Sequence, residues 1–595
     1  MKSKFITNSA IGIFLLVFPL LFGTELFAQR TLGVRPTNSG GVPTYEQAAY
    51  DVQYYDISIE VFPKEKSISG NVVVGAKIVQ PLNVIVLDLD EPFSVSRVEL
   101  LVGESNVNDD SKLNKATQFT PLKFERTPTQ LFAYLPKTYQ PGEDVSISIK
   151  YEGTPRVAPH PPWIGGFMWE KTGDGSDWIA TAVQNDGADL MFPVKDIPSD
   201  KAEKVLMHVT VPENLYAALP GTLKTVVSNQ NKTKTYNWVR SEPIPNYEIV
   251  LNIAPYKIVK DSMKSVAGDE IPIVFYVLPE HENKARQLIN DTKTYVKFFE
   301  KYLGPYPFRS EKLGIAETPH LGMEHSTIIA YGNNFKYNKN GVDTLMFHEL
   351  GHEWWANLVT ASDWRDFWIH EGFQSFMDTL YVEELKGREA YLAEMKQRAR
   401  ATKNNQPIAP RDHKYTYQVY MAAPDYKNSD GDIYGKGAVV LHTLRNLIGD
   451  DAFFRALRLM AYPQKSLEAK TDGSQVRFVN TDDFVTIAEN ESGMKLDWFF
   501  EVYARRAALP ILKYEQVEGT TGKSVNFTWE APDSLPFNMP IDVYVNGKVK
   551  RIKFTNNVGV MPIQTGEEFQ IDPEGLVLKN LINLNKNNRQ LNIVH

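Results

Sequence analysis

The chain has 595 residues, 43% of them hydrophobic and 12% aromatic, with a formal net charge of −8 and no cysteine. That length exceeds a single core and implies about three or four domains, while an acidic balance without any basic run argues against a nucleic-acid partner. Without cysteine there is neither a disulfide framework nor lipid attachment through a thiol, so every core must be held by burial alone.

In chain order, residues 1–28 read as a signal peptide rather than structure. Lys2 and Lys4 give a positive start, and Ile11 to Gly23 is an apolar run of 13 residues, too short to span a membrane. Cleavage after Ala28 is expected to leave Gln29 as the first residue of an exported protein, periplasmic or secreted. Residues 29–260 read as one all-β domain. Ile57, Ile59 and Val61 alternate with polar neighbours, as do Val205, Met207, Val209 and Val211, and Asn229 to Lys232 reads as a turn between strands. Gly153 to Asp177 reads as a long Pro- and Gly-rich loop carrying Trp163, Phe167 and Trp169, expected near the mouth of a site.

The period turns helical near Glu280, with Ala285, Leu288, Ile289, Val296 and Phe299 on one face until Pro305 and Pro307. Helices dominate to about 505, interrupted by a strand-like passage from Leu313 to Ala330 and a polar connection from Lys403 to Asp432, so 261–506 reads as an α+β domain. Alternation returns in 507–595, where Val525, Phe527 and Trp529 share a face and Asn546-Gly547 marks a tight hairpin. This third part reads as a small β-sandwich with a tail.

The chemistry sits between Asp343 and Asp378. His348, Glu349 and His352 form H-E-x-x-H, and eighteen residues separate His352 from Glu371. Five of the 11 histidines fall between 320 and 370. On a helix, residues four apart share a face, so His348 and His352 can aim two imidazoles at one point, with Glu349 in reach of a water held there. Glu371, on a second helix, supplies a third ligand, and two His and one Glu with an open fourth position is the arrangement of catalytic zinc. Gly351 inside the first helix costs about 1 kcal/mol relative to alanine and implies close approach of the second helix. Asp378, on the face of Glu371, is the candidate to orient an imidazole. His320 and His370 read as structural.

This pattern resembles the gluzincin zinc peptidases, and three further stretches resemble the aminopeptidase N family. Gly322-Met323-Glu324-His325 is similar to its G-x-M-E-N motif, and Tyr434-Gly435-Lys436-Gly437 to its Y-x-K-G motif. Pro193 to Pro198, followed by Lys201, is similar to its P-x-x-D-x-P passage, and Gln184 stands twelve residues before Asp196, where the family carries a Glu or Gln. The resemblance runs from about Tyr54 to Leu578. It implies a saddle-like β domain, a thermolysin-like catalytic domain and a β-sandwich, with one zinc ion held by His348, His352 and Glu371. Larger members add a helical domain closing over the site; this sequence reads as ending without it, which leaves the enclosure of the cleft and the limit on peptide length unassigned.

By the same resemblance, Glu349 acts as general base and the Tyr434 hydroxyl stabilises the oxyanion, while Glu324 and Gln184 hold the substrate's α-amine beside Gly322 and Met323. The implied activity is removal of amino-terminal residues from peptides with a free amino terminus. His325 and His370 replace the family's usual asparagines, and His325 is expected to alter the first substrate pocket. Competing readings are a zinc epoxide hydrolase or an endopeptidase on the same fold, or a catalytically degenerate peptide-binding protein. Nothing in the sequence reads out an oligomeric state.

Overall fold

The computed structural model describes residues 40–102, 118–420, 431–519 and 522–585. The segment read as a signal peptide lies outside them. The first unit is built on an eight-stranded sheet, in the order Thr222–Ser228, Thr233–Arg240, Lys204–Pro212, Tyr50–Phe62, Ser67–Ile78, Asp144–Gly153, Phe93–Val102, Gln118–Pro121. All neighbours are antiparallel except Tyr50–Phe62 with Lys204–Pro212. The alternating residues Ile57, Ile59, Val61, Val205, Met207, Val209 and Val211 are all buried, because a period of two sends them to one face.

Gly153 to Asp177 is not one loop. Gly166–Lys171 is a strand paired antiparallel with Asp177–Ala182, and Phe167, fully buried, stacks on Trp169 at 5.4 Å. The aromatic residues that suggested a binding loop at 167 and 169 are therefore mostly sheet packing, and only Pro162 and Trp163 reach the site. This hairpin matters because its second strand runs directly into Gln184. Trp178 ties it to the next unit by donating from its indole to the Glu317 carbonyl at 3.2 Å.

The second unit opens on a five-stranded sheet in the order Lys257–Lys264, Glu270–Val277, Leu313–Glu317, Ile329–Tyr331, Gly322–Met323. The strand Lys257–Lys264 crosses position 260, where the sequence suggested a boundary; its partner is Glu270–Val277, so it belongs to this second sheet. Alternation alone cannot tell which of two sheets a strand joins. The helix Glu282–Leu303 buries Leu288, Val296 and Phe299 and ends at Gly304, whose φ of +105° suits glycine. Gly322–Met323 is an edge strand, pairing only with Ile329–Tyr331 among the described residues.

The third unit packs a four-stranded sheet against a three-stranded one. Val525, Phe527 and Trp529 are buried between them. Ile541–Val545 and Lys548–Ile552 are joined at Asn546 and Gly547, with φ of +50° and +77°, the pair of positive values that a type I′ turn needs. The sandwich is fastened to two helices of the second unit: Leu578 N donates to Thr443 Oγ1 of Gly435–Ile448 at 3.2 Å, and Tyr503 OH, at the end of Asp497–Tyr503, donates to the Leu578 carbonyl at 2.7 Å. No helix among the described residues is long and apolar enough to cross a membrane.

Candidate active site

The helix Thr344–Gly351 is started by Asp343, whose side chain accepts from Met346 N and is itself held by Tyr331 and Asn333. His348 and Glu349 lie on this helix, but His352 is its C-cap residue, one position beyond its last turn. The backbone there is still right-handed helical, at φ −67° and ψ −15°, so the four-residue spacing still brings the two rings together, with centroids 4.8 Å apart. Glu371 sits in the first turn of the helix Trp368–Lys386.

The two helices meet at Gly351. A Cβ there would collide with the carboxamide of Gln374, which is fully buried, so glycine is what allows the approach. Gln374 Nε2 in turn donates to Asp378 Oδ1 at 3.0 Å, and Asp378 Oδ2 faces His348 Nδ1 at 2.9 Å. Asp378 is thus the group that orients His348. The partner of His352 carried no sequence signal: Nδ1 faces the backbone carbonyl of Trp355 at 2.8 Å. With both Nδ1 atoms committed to acceptors as donors, both Nε2 atoms keep their lone pairs for a ligand.

Those lone pairs converge on Glu371. Its Oε2 lies 3.4 Å from His348 Nε2 and 3.5 Å from His352 Nε2, and this buried oxygen accepts no hydrogen bond. A tetrahedral zinc with ligand distances near 2.0–2.1 Å has ligand–ligand edges of roughly 3.3–3.4 Å. The donor set, its spacing and the unsatisfied oxygen all fit one zinc ion. The charges around the cluster are mutually complementary. Burial disfavours charge on His348, yet Asp378 and Glu371 hold it well above its ordinary value, and burial of Glu371 is likewise overcome by the two imidazoles, which hold it well below. The carboxylate is built to face positive charge.

A cavity of about 380 Å³ opens on this cluster, lined by Gln184, Gly322, Met323, Glu324, His348, Glu349, His352, Glu371 and Tyr434, with Pro162, Trp163, Leu321 and Leu345 among its apolar wall. Every residue read from the sequence as ligand, base or substrate contact is on that wall. Glu349 lies beside Gly322, where a Cβ would come within 2.9 Å of its carboxylate oxygen and 2.8 Å of Leu345, so a side chain there would push on the Glu349 carboxylate. Burial pushes the Glu349 carboxyl up to about 8, against the pull of the two histidines. Tyr434 caps the helix Gly435–Ile448, which packs on Trp368–Lys386 so closely that a Cβ on Gly437 would sit 2.8 Å from the Cα of Gly372. That contact delivers the Tyr434 hydroxyl to Glu371 Oε1, to which it donates at 2.9 Å. Lys436, from the same motif, is fully buried and ties this helix to the Ala507 carbonyl at 2.7 Å.

Glu324 is reached from the first unit. Gln184 Nε2 donates to its Oε1, and so does Tyr247 OH at 3.1 Å. Lys201, whose ammonium burial depresses to about 7, donates to the Asn357 carbonyl at 3.2 Å, and Asn357 Nδ2 donates to the Glu324 carbonyl at 3.0 Å. The P-x-x-D-x-P…K stretch therefore fastens the two units behind the site. Tyr247 was not legible beforehand, because it lies outside any motif in a chain with 28 tyrosines. His325, expected to reshape the first pocket, is fully buried and is not on the cavity wall, because its side chain turns inward beside His320, with ring centroids 6.4 Å apart. His370 accepts from Ala361 N at 2.9 Å and holds the loop rather than a ligand.

Two imidazoles and a carboxylate at tetrahedral spacing, with a second carboxylate and a tyrosine on the same wall, define a mononuclear zinc hydrolase centre of the gluzincin type. The chain belongs to peptidase family M1: residues 51–247 match the Peptidase M1 N-terminal domain and residues 288–503 the Peptidase family M1 domain. It is 25% identical over 402 residues to glutamyl aminopeptidase of Homo sapiens, covering 63% of this chain and 39% of that protein. It is 28% identical over 235 residues to leucine aminopeptidase 2 of Vanderwaltozyma polyspora, covering 38% of this chain and 33% of that one. The chain thus spans well under half the length of these curated relatives. The fold resembles the crystal structure of an M1 zinc metallopeptidase from Deinococcus radiodurans, with a TM-score of 0.60 and 23% identity, covering 79% of this chain and 97% of that one. A mutant of that enzyme bound to a Tyr-Ser-Ala substrate superposes at a TM-score of 0.61, again at 23% identity, over 79% of this chain and 98% of that one.

Proposed function

We propose that this chain is a zinc aminopeptidase that removes single residues from the free amino terminus of peptides. The observation that carries the reading is the position of Glu324. Its carboxylate, 3% exposed, shares the cavity wall with Glu349 and His352, and ligating atoms of the three lie within 4.8 Å of one another. An α-amine is only two bonds from the carbonyl carbon of its own residue, about 2.5 Å. A carboxylate so close to the hydrolytic centre therefore binds the ammonium of the residue being cleaved, and a buried ammonium requires such a partner. Gln184, on the same wall, adds a hydrogen-bonding group. The edge strand Gly322–Met323 offers backbone groups to an extended peptide.

Bound zinc supplies a Lewis acid for the scissile carbonyl and lowers the pKa of the attacking water. Glu349 takes that water's proton and returns it to the departing amine. The Tyr434 hydroxyl turns from Glu371 Oε1 to the oxyanion as charge develops there. Glu324 fixes the amino terminus, which sets the register at one residue. The described wall carries no Lys or Arg, so an acidic first side chain finds no counter-charge while an apolar one packs on Trp163, Leu321 and Met323.

A panel of amino-acyl anilides and their N-acetylated counterparts tests the proposal. Leucyl and phenylalanyl anilides are expected to be cleaved well ahead of glutamyl, N-acetylation and chelation to abolish turnover, and Glu324→Ala to lose about 10²–10³-fold in kcat/KM with zinc retained. Cleavage of the acetylated substrates at the same rate would make the protein an endopeptidase. The reading extends to export, supported by Lys2, Lys4 and the Ile11–Gly23 run. Amino-terminal sequencing of the mature protein is expected to begin at Gln29, and a start at Met1 would overturn it.

A further inference from the structure

Tyr247 lies near the end of the first unit, in the short turn Asn246–Glu248. It is 4% exposed and is absent from the cavity wall, yet its hydroxyl reaches Glu324 Oε1 from behind at 3.1 Å. The same oxygen accepts from Gln184 Nε2. The ring packs on Trp364, with centroids 5.8 Å apart, and the neighbouring Glu248 accepts from Ser326 N at 3.1 Å. The turn is therefore pinned at a second point, two residues beyond Glu324.

We infer that Tyr247 is a positioning residue for amine recognition, resting on the aminopeptidase reading above. The carboxylate of a glutamate turns freely about its last bond, a broad two-fold torsion. Two donors on one of its oxygens remove that freedom, and hydrogen bonds to an ionised acceptor are the stronger kind. With Oε1 held toward the β domain, Oε2 is the oxygen presented to the cavity that Glu324 lines. Both donors come from the first unit and the carboxylate from the second, so affinity for the substrate's ammonium is set by how the two units dock. Selection of a free amino terminus is then a property of the interface, and a side chain that never touches substrate contributes to it.

Two zinc-directed inhibitors that differ only in the amine, L-phenylalanine hydroxamate and 3-phenylpropanohydroxamic acid, test this on the zinc-loaded full chain. Wild type is expected to prefer the amine-bearing compound. Tyr247→Phe is expected to weaken that compound by about ten-fold and the des-amino compound by less than about two-fold, while KM for phenylalanyl anilide rises about ten-fold with kcat nearly unchanged. The ratio of the two inhibition constants is taken within one preparation, so a partly unfolded variant does not distort it. A ratio equal to wild type, whether both constants move together or neither moves, overturns the role of Tyr247. A wild type that binds both compounds equally overturns the amine anchor itself, and with it this inference.

Discussion

Glu349→Gln is expected to lower kcat by about 10²–10⁴-fold while the protein still binds one zinc. The atoms proposed to hold zinc are those of His348, His352 and Glu371, whose carboxylate oxygen lies 3.4 and 3.5 Å from the two Nε2 atoms, and Glu349 is not among them. Glutamine matches glutamate in size, so it keeps the place beside Gly322 that the carboxylate occupies now. What it loses is the ability to accept the water's proton. Steady-state kinetics beside metal analysis of the same sample decides the matter: a variant that loses its zinc as well would place Glu349 among the ligands, and one that turns over normally would move the base elsewhere.

Tyr434→Phe is expected to cost about 10²–10³-fold in kcat with KM changed by no more than a few-fold. Its hydroxyl rests on Glu371 Oε1 at 2.9 Å, on the wall of the cavity that is proposed to admit substrate. An interaction made only as charge develops on a substrate oxygen raises the barrier when removed and leaves ground-state binding alone. A phosphonate analogue of the tetrahedral intermediate should therefore lose affinity in step with kcat, whereas a competitive inhibitor without a tetrahedral centre should not. Equal loss for both compounds would show that the tyrosine supports the site only by holding Glu371.

Both predictions start from features legible along the chain. The four-residue spacing of His348 and His352, the seven-residue spacing of Glu371 and Asp378, and the glycine at 351 are statements about helices, and helical geometry follows from local backbone sterics. The Asn546-Gly547 turn is equally local, since both residues tolerate the positive φ they adopt. Local reading failed where the outcome depended on a neighbour. The strand Gly166–Lys171 looked like loop because its partner and its burial were unknown, and Lys257–Lys264 was cut in two by the boundary placed at 260 because alternation does not name a sheet. His325 had the polarity of a pocket residue and the burial of a core one.

The sequence by itself determined the chemistry: which side chains can hold zinc, which can move the proton, and, through alternation and helical period, the kinds of element that carry them. Only the tertiary structure decided how the groups proposed to grip a peptide are brought together and held. Glu324 meets Gln184 across 140 positions and Tyr247 across 77, and Tyr434 meets Glu371 across 63 because Gly372 and Gly437 let two helices touch. Spacing within one helix is enforced by the backbone between the residues. Contacts between units are enforced by packing and burial over whole surfaces, and no single stretch of chain encodes those.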